Sequence, residues 1–138
     1  MQDYPITGGC QCGAVRYGAR ASPLQVYVCH CKACQRQSAS AFGISVIFRS
    51  SDVTLLQGTL QQWSRPTGDG KSLDCFFCAN CGSRLWHGNP QTDDAISIKG
   101  GSLDEPVDLR GAAHIWTSRM LPGVALPAGV TSYPQEPE

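Results

Sequence analysis

The eight cysteines of this 138-residue chain fall into three tight groups, and that spacing constrains the fold more than any other feature. Cys10 and Cys12 form the first group, Cys29, Cys31 and Cys34 the second, and Cys75, Cys78 and Cys81 the third. Met1 to Gly9 carry no basic stretch followed by an apolar run, so no secretory signal is read there. The expectation is a cytoplasmic protein whose cysteines bind metal or react, rather than a disulfide scaffold. Neither common ferredoxin spacing is present, and no βαβ context supports a thioredoxin-like redox pair.

The spacing within the groups divides the metal ligands. Cys78-Ala79-Asn80-Cys81-Gly82 suits a zinc knuckle, in which a tight turn brings two sulfurs to one cation and glycine accepts a positive φ. In Cys10-Gln11-Cys12, residues two apart on an extended chain point to the same side, so both sulfurs reach one metal. Together Cys10, Cys12, Cys78 and Cys81 make a closed four-sulfur structural zinc site. Cys29, Cys31 and Cys34 supply only three sulfurs, the pattern of an open zinc with a vacant fourth position suited to a substrate thiol. Two zinc ions per chain are therefore expected. Cys75 reads as a buried or partly buried free cysteine on the strand leading into the knuckle, with completion of the second metal site as the alternative, and His30 as a packing or hydrogen-bonding residue pointing away from the metal. His87 and His114 default to structural roles.

Between the cysteines run short stretches of branched and aromatic residues broken by glycine and proline. Strands are read at Ala14 to Tyr17, Leu24 to Cys29, Ile44 to Phe48, Val53 to Leu56, Leu60 to Trp63, Leu73 to Phe77, Ala95 to Lys99 and His114 to Trp116. Only Lys32 to Ala39 has helix-forming composition. The pattern predicts one mainly antiparallel β domain over residues 1–120. Residues 121–138 are read as a C-terminal arm, with Pro134 to Glu138 expected to be disordered. Eleven basic residues balance eleven acidic ones, so no net field draws the chain to nucleic acid or anionic lipid. No apolar run approaches the length of a membrane span.

With these residues in view, the chain resembles the glutathione-dependent formaldehyde-activating enzyme family, related to centromere protein V. The resemblance is carried by Gly8-Gly9-Cys10-Gln11-Cys12-Gly13, Val15-Arg16-Tyr17, Cys29-His30-Cys31-Lys32-Ala33-Cys34, Phe77-Cys78-Ala79-Asn80-Cys81-Gly82-Ser83 and His114-Ile115-Trp116. It implies a β-tent fold, small antiparallel sheets around a zinc site, with the same division of ligands between two zincs. It also implies an activity that joins glutathione and formaldehyde into S-hydroxymethylglutathione, classed as a carbon–sulfur lyase. The chain departs from the family pattern at Gly123, where relatives often carry tryptophan, and at Ser38-Ala39-Ser40-Ala41-Phe42, where a glycine near position 39 is commoner.

The expected function is thus a zinc-dependent carbon–sulfur lyase-type enzyme. Its substrates would be a small thiol, glutathione or another, and an aldehyde or its S-hydroxymethyl adduct. Catalysis would run through the zinc on Cys29, Cys31 and Cys34. An anionic tripeptide needs basic partners, and Lys32, Arg36 and Arg16 are the nearest in sequence to the cysteines. The alternative is a non-catalytic, zinc-stabilised glutathione carrier or protein-interaction module. Neither nucleic acid nor membrane is expected as a partner, and the sequence leaves the oligomeric state open.

Overall fold

The computed structural model describes residues 4–137. These form ten β-strands and one α-helix, with three short 3-10 turns. A three-stranded antiparallel sheet contains β1 (Ile6–Gly9), β2 (Arg16–Ala19) and β5 (Val53–Gln57), in the order β1-β2-β5. The seven-stranded sheet is built from β3 (Gln25–Cys29), β4 (Gly43–Arg49), β6 (Leu60–Pro66), β7 (Ser72–Cys78), β8 (Arg84–His87), β9 (Ala95–Lys99) and β10 (Ala113–Ile115). Its order is β10-β3-β4-β9-β8-β7-β6, antiparallel throughout except for the β10–β3 pair. The helix α1 (Lys32–Ser38) follows β3. The fold is mainly β and a single domain, and among the described residues no helix is long and apolar enough to cross a membrane.

Strand alternation sorts the seven-stranded sheet into two faces. Val46, Phe48, Ile96, Ile98 and Trp86 share one face, because Val46 pairs with Ile98, Phe48 with Ile96 and Trp86 with Ile98. This face packs against Tyr17 and Ala19 of β2 and forms the core with Val15 and Leu85. Tyr17 and Trp86 meet edge to face with ring centroids 5.8 Å apart. Full burial of each such side chain contributes about 1.5–3 kcal/mol, so the contact between sheets is the main apolar term.

The opposite face is polar, and it runs in register across the sheet. Cys29 pairs with Gly43, Ser45 with Lys99, Ser97 with His87, His87 with Cys75 and Cys75 with Trp63. A bulge between Phe76 and Phe77 pairs Phe77 with Arg84, and the Arg84 side chain meets that of His87, three residues on. Plain alternation would have sent the two to opposite faces.

The arm after Leu121 is held to the body at several points. His114 N donates to Thr131 O, and Tyr133 N donates to His114 O. The Ser118 hydroxyl donates to the Pro134 carbonyl at 2.7 Å, and Trp116 N to the Gln135 carbonyl. Glu138, the last residue of the segment read as disordered, lies outside the described residues, as do residues 1–3 of the domain.

Candidate metal centres and the cleft beside them

Cys10 and Cys12 lie in the loop between β1 and β2, Cys78 ends β7, and Cys81 stands in the turn to β8. The four sulfurs lie within 4.8 Å of one another. Cys10 Sγ is 3.6 Å from Cys12 Sγ, which is 3.8 Å from Cys78 Sγ. Both separations are far beyond a disulfide bond of about 2.05 Å. A tetrahedron of sulfurs at about 2.3 Å from zinc has edges of about 3.8 Å, so the donor set fits that metal.

Hydrogen-bond donors surround these sulfurs. Val15 N donates to Cys10 Sγ at 3.2 Å, and Asn80 N to Cys78 Sγ at 3.3 Å. Asn80 Nδ2 donates to Cys12 Sγ at 3.3 Å. The Ser83 hydroxyl and neighbouring backbone N–H groups lower the Cys81 thiol to about 5. Gly82 takes φ +81° at the end of this turn, the conformation that lets the chain reverse and start β8. Because one pair belongs to the small sheet and the other to the large one, a metal here would staple the two sheets together.

Cys29, Cys31 and Cys34 form a second cluster, again with all three sulfurs within 4.8 Å. Cys29 is buried at the end of β3, and Cys31 caps α1 by accepting from Cys34 N at 3.3 Å. The three thiols hydrogen-bond to one another through their protons. Hydrogen bonds from Cys29 and Cys34 lower Cys31 to about 2, while hydrogen bonding with Cys31 and Cys34, together with burial, pushes Cys29 up. A divalent ion replaces those protons, and a thiolate-rich set of three suits zinc with one position left for an exogenous ligand.

One cleft opens on this cluster, and a larger one runs from its neighbourhood to Cys10 of the four-sulfur cluster. The smaller, about 470 Å³, is lined by Cys34 itself together with Lys32, Arg36, Trp63, Arg84 and His87. The larger, about 1000 Å³, shares Arg36 and Arg84 and adds Gly43, Lys99 and Gly100. Gly43 separates the larger cleft from Cys34: a Cβ there would stand 3.1 Å from Cys34 Cβ and 3.4 Å from its sulfur. Of the three basic residues picked from sequence, Lys32 and Arg36 face the smaller cleft. Arg16 lines the larger, but its guanidinium is paired with Asp104.

The sequence reading missed Lys99, Arg84 and Trp63, which only the sheet register brings to the cluster. His87 is more than structural filler, because it accepts from Arg84 Nη1 at 2.9 Å inside the smaller cleft. Burial, with the charges of Lys99, Arg84 and Arg65, pushes it down to about 3, so it stays neutral. Cys75 is buried and free, as read from its neighbours. His30 turns away from the sulfurs and shares a hydrogen bond of 2.9 Å with His114, a partnership across 84 residues that spacing could not reveal.

Comparison with known proteins agrees with this geometry. A solved Rhodobacter sphaeroides protein is similar in fold, with a TM-score of 0.59 and 23% identity over 78% of this chain and 98% of that one. Residues 5–119, which contain both cysteine clusters and both clefts, match the family described as glutathione-dependent formaldehyde-activating enzyme. The chain therefore belongs to the glutathione-dependent formaldehyde-activating enzyme family.

Proposed function

We propose that this protein is a zinc-dependent enzyme of the carbon–sulfur lyase type, acting on a glutathione-like thiol and an aldehyde or its S-hydroxymethyl adduct. In this reading Cys10, Cys12, Cys78 and Cys81 hold a structural zinc, and Cys29, Cys31 and Cys34 hold a catalytic one. The observation that carries the reading is the number of sulfurs, four in one cluster and three in the other, which leaves the second short of a ligand beside the cleft that Cys34 lines. Zinc at the three-sulfur cluster would supply Lewis acidity that favours a bound thiol as thiolate.

The reaction itself is balanced without oxidant or reductant. The thiol loses its proton, its sulfur pair attacks the aldehyde carbon, and the carbonyl π pair moves to oxygen, which takes up a proton. Thiol and formaldehyde become the S-hydroxymethyl thioether, and reversal cleaves the same C–S bond. The residues around the cleft favour that anion. Lys32, Arg84 and Arg36 make its walls positive, Lys99 adds its charge in the adjoining larger cleft, and neutral His87 holds the Arg84 guanidinium at 2.9 Å. Trp63, half exposed and stacked under Arg84 at 5.8 Å, offers a flat apolar wall. A reducing cytoplasm suits the eight free thiols.

The test is the rate of S-hydroxymethylglutathione formation and cleavage, followed by exchange NMR with the zinc-loaded protein. Wild type should accelerate exchange well above the uncatalysed rate, and Cys31→Ser should not. Equal rates for the two would remove the catalytic role and leave the carrier or interaction-module reading in its place.

A further inference from the structure

Lys99 is a buried cation without a carboxylate. Only 9% of it is exposed, and its Nζ donates to Ser45 Oγ at 3.3 Å and Ser97 Oγ at 3.2 Å. Both partners are neutral hydroxyls, and an ammonium has three protons to place. Among the described residues the ion pairs are Arg16 with Asp104 and Arg110 with Asp108, so neither Lys99, Arg36 nor Arg84 has an acidic partner. All three line the larger cleft, and the one acid in that lining, Asp104, is already engaged by Arg16.

Burial pushes the Lys99 ammonium down, and Arg84 adds repulsion, while the sulfurs of Cys34, Cys29 and Cys75 favour its charge. Three cations with no carboxylate among them, one of them buried, are an arrangement completed by an anion from outside. Planar carboxylates suit guanidinium and ammonium donors converging from different elements, here α1, β8 and β9. Arg36 and Arg84 line this cleft and the one that Cys34 lines, and the sulfurs of Cys34 and Cys29 act on the Lys99 charge, so the anion site adjoins the sulfur cluster.

We infer that Lys99, with Arg36 and Arg84, forms a subsite for a carboxylate of the thiol substrate, so that the cleft selects acidic thiols over neutral or cationic ones. The inference rests on the thiol reading above for the identity of the ligand, but binding can be measured without turnover. Lys99 is the specificity residue, because its buried ammonium keeps a donor that neither Ser45 nor Ser97 takes. Arg36 and Arg84 fix the side from which the carboxylate approaches.

The test is calorimetric titration of the zinc-loaded full chain with S-methylglutathione, which has free carboxylates and no thiol, and with its diethyl ester. Wild type should bind the acid at least tenfold more tightly than the ester. Lys99→Met should weaken the acid about tenfold, leave the ester unchanged and keep the zinc content. Arg36→Gln, at an exposed position, should weaken the acid severalfold without affecting the fold. Equal affinity for acid and ester, no binding of the acid by wild type, or an unchanged Lys99→Met would overturn the subsite. So would loss of zinc in Lys99→Met with Arg36→Gln binding as wild type, since the lysine would then serve only the sulfurs. If the acid binds with this charge dependence and no exchange is catalysed, the subsite stands and the enzyme reading falls.

Discussion

At Ala39 a side chain sits where the backbone favours glycine. This residue ends α1 with φ 51° and ψ 42°, and its N–H closes the helix onto Arg36 O. An L-residue in that region costs about 1–2 kcal/mol, offset in part by the greater freedom glycine brings to the unfolded chain. Ala39→Gly should therefore stabilise the protein by about 0.5–1 kcal/mol, read from the midpoint of chemical unfolding. The same site was visible in the sequence as a departure from the family pattern, but the φ that explains it was not. His87 gives a second prediction. Its folded value of about 3 lies below the unfolded one of about 6.5, so only the unfolded chain takes up a proton between them. Stability should fall as pH drops from 6.5, and His87→Gln should remove up to about 1.4 kcal/mol per pH unit of that slope, leaving the part due to His30 and His114, which burial also pushes down. Unfolding curves for both proteins between about pH 6.5 and pH 5 check it; parallel slopes would place the titration elsewhere.

Among the elements, the strands whose apolar residues alternate strictly were legible, as was α1. Ala95–Lys99 coincides with its reading and Leu24 to Cys29 nearly so, because Ile, Val and Tyr alternate there between glycine or proline breaks. The strands that went unread, β1 and β8, lack that signal: Ile6–Gly9 ends in two glycines, and Arg84–His87 is too short to show a period. Both flank cysteine turns, so tertiary pairing, not propensity, makes them strands. β8 also carries Arg84 and His87 into the cleft, which is why their part of the lining was not foreseen, whereas Lys32 and Arg36 on α1 were. Gly43, at the start of β4, is the element-scale test of how α1 and its cysteines are seated. A methyl group there would meet Gln37 Nε2 at 2.9 Å and Cys34 Cβ at 3.1 Å. Gly43→Ala should shift the first turn of α1 and lower zinc occupancy by up to one equivalent, with the core intact. Full zinc content in this variant would show that the approach of α1 to β4 does not position the sulfurs.

For the molecule as a whole, the proposed function gives the two clusters different duties. The four-sulfur cluster joins Cys10 and Cys12 of the small sheet to Cys78 and Cys81 of the large one, across 66 residues between Cys12 and Cys78. Structural zinc contributes on the order of 10 kcal/mol or more in small zinc-dependent domains, comparable to the whole stability of an ordinary domain. Cys78→Ser should therefore be insoluble or lack a cooperative unfolding transition. Cys29, Cys31 and Cys34 span one turn, and Cys31→Ser should stay folded and lose one zinc. Short spacing made the local groups legible, Cys29 with Cys31 and Cys34, Cys10 with Cys12, and Cys78 with Cys81; the meeting of the last two pairs across the sheets, and the clefts, depend on how distant strands line up. Seven ligand thiolates with two Zn²⁺ take the formal charge from zero to −3, which should put the native isoelectric point below the sequence value of 6.8. The most direct measurement of the two-site account is zinc released per chain during titration with a mild chelator, followed alongside circular dichroism. The account predicts two equivalents in the freshly purified protein, the first leaving with the spectrum unchanged and the second only with loss of the fold. A total of one or none, or release of both in a single step with unfolding, would contradict it.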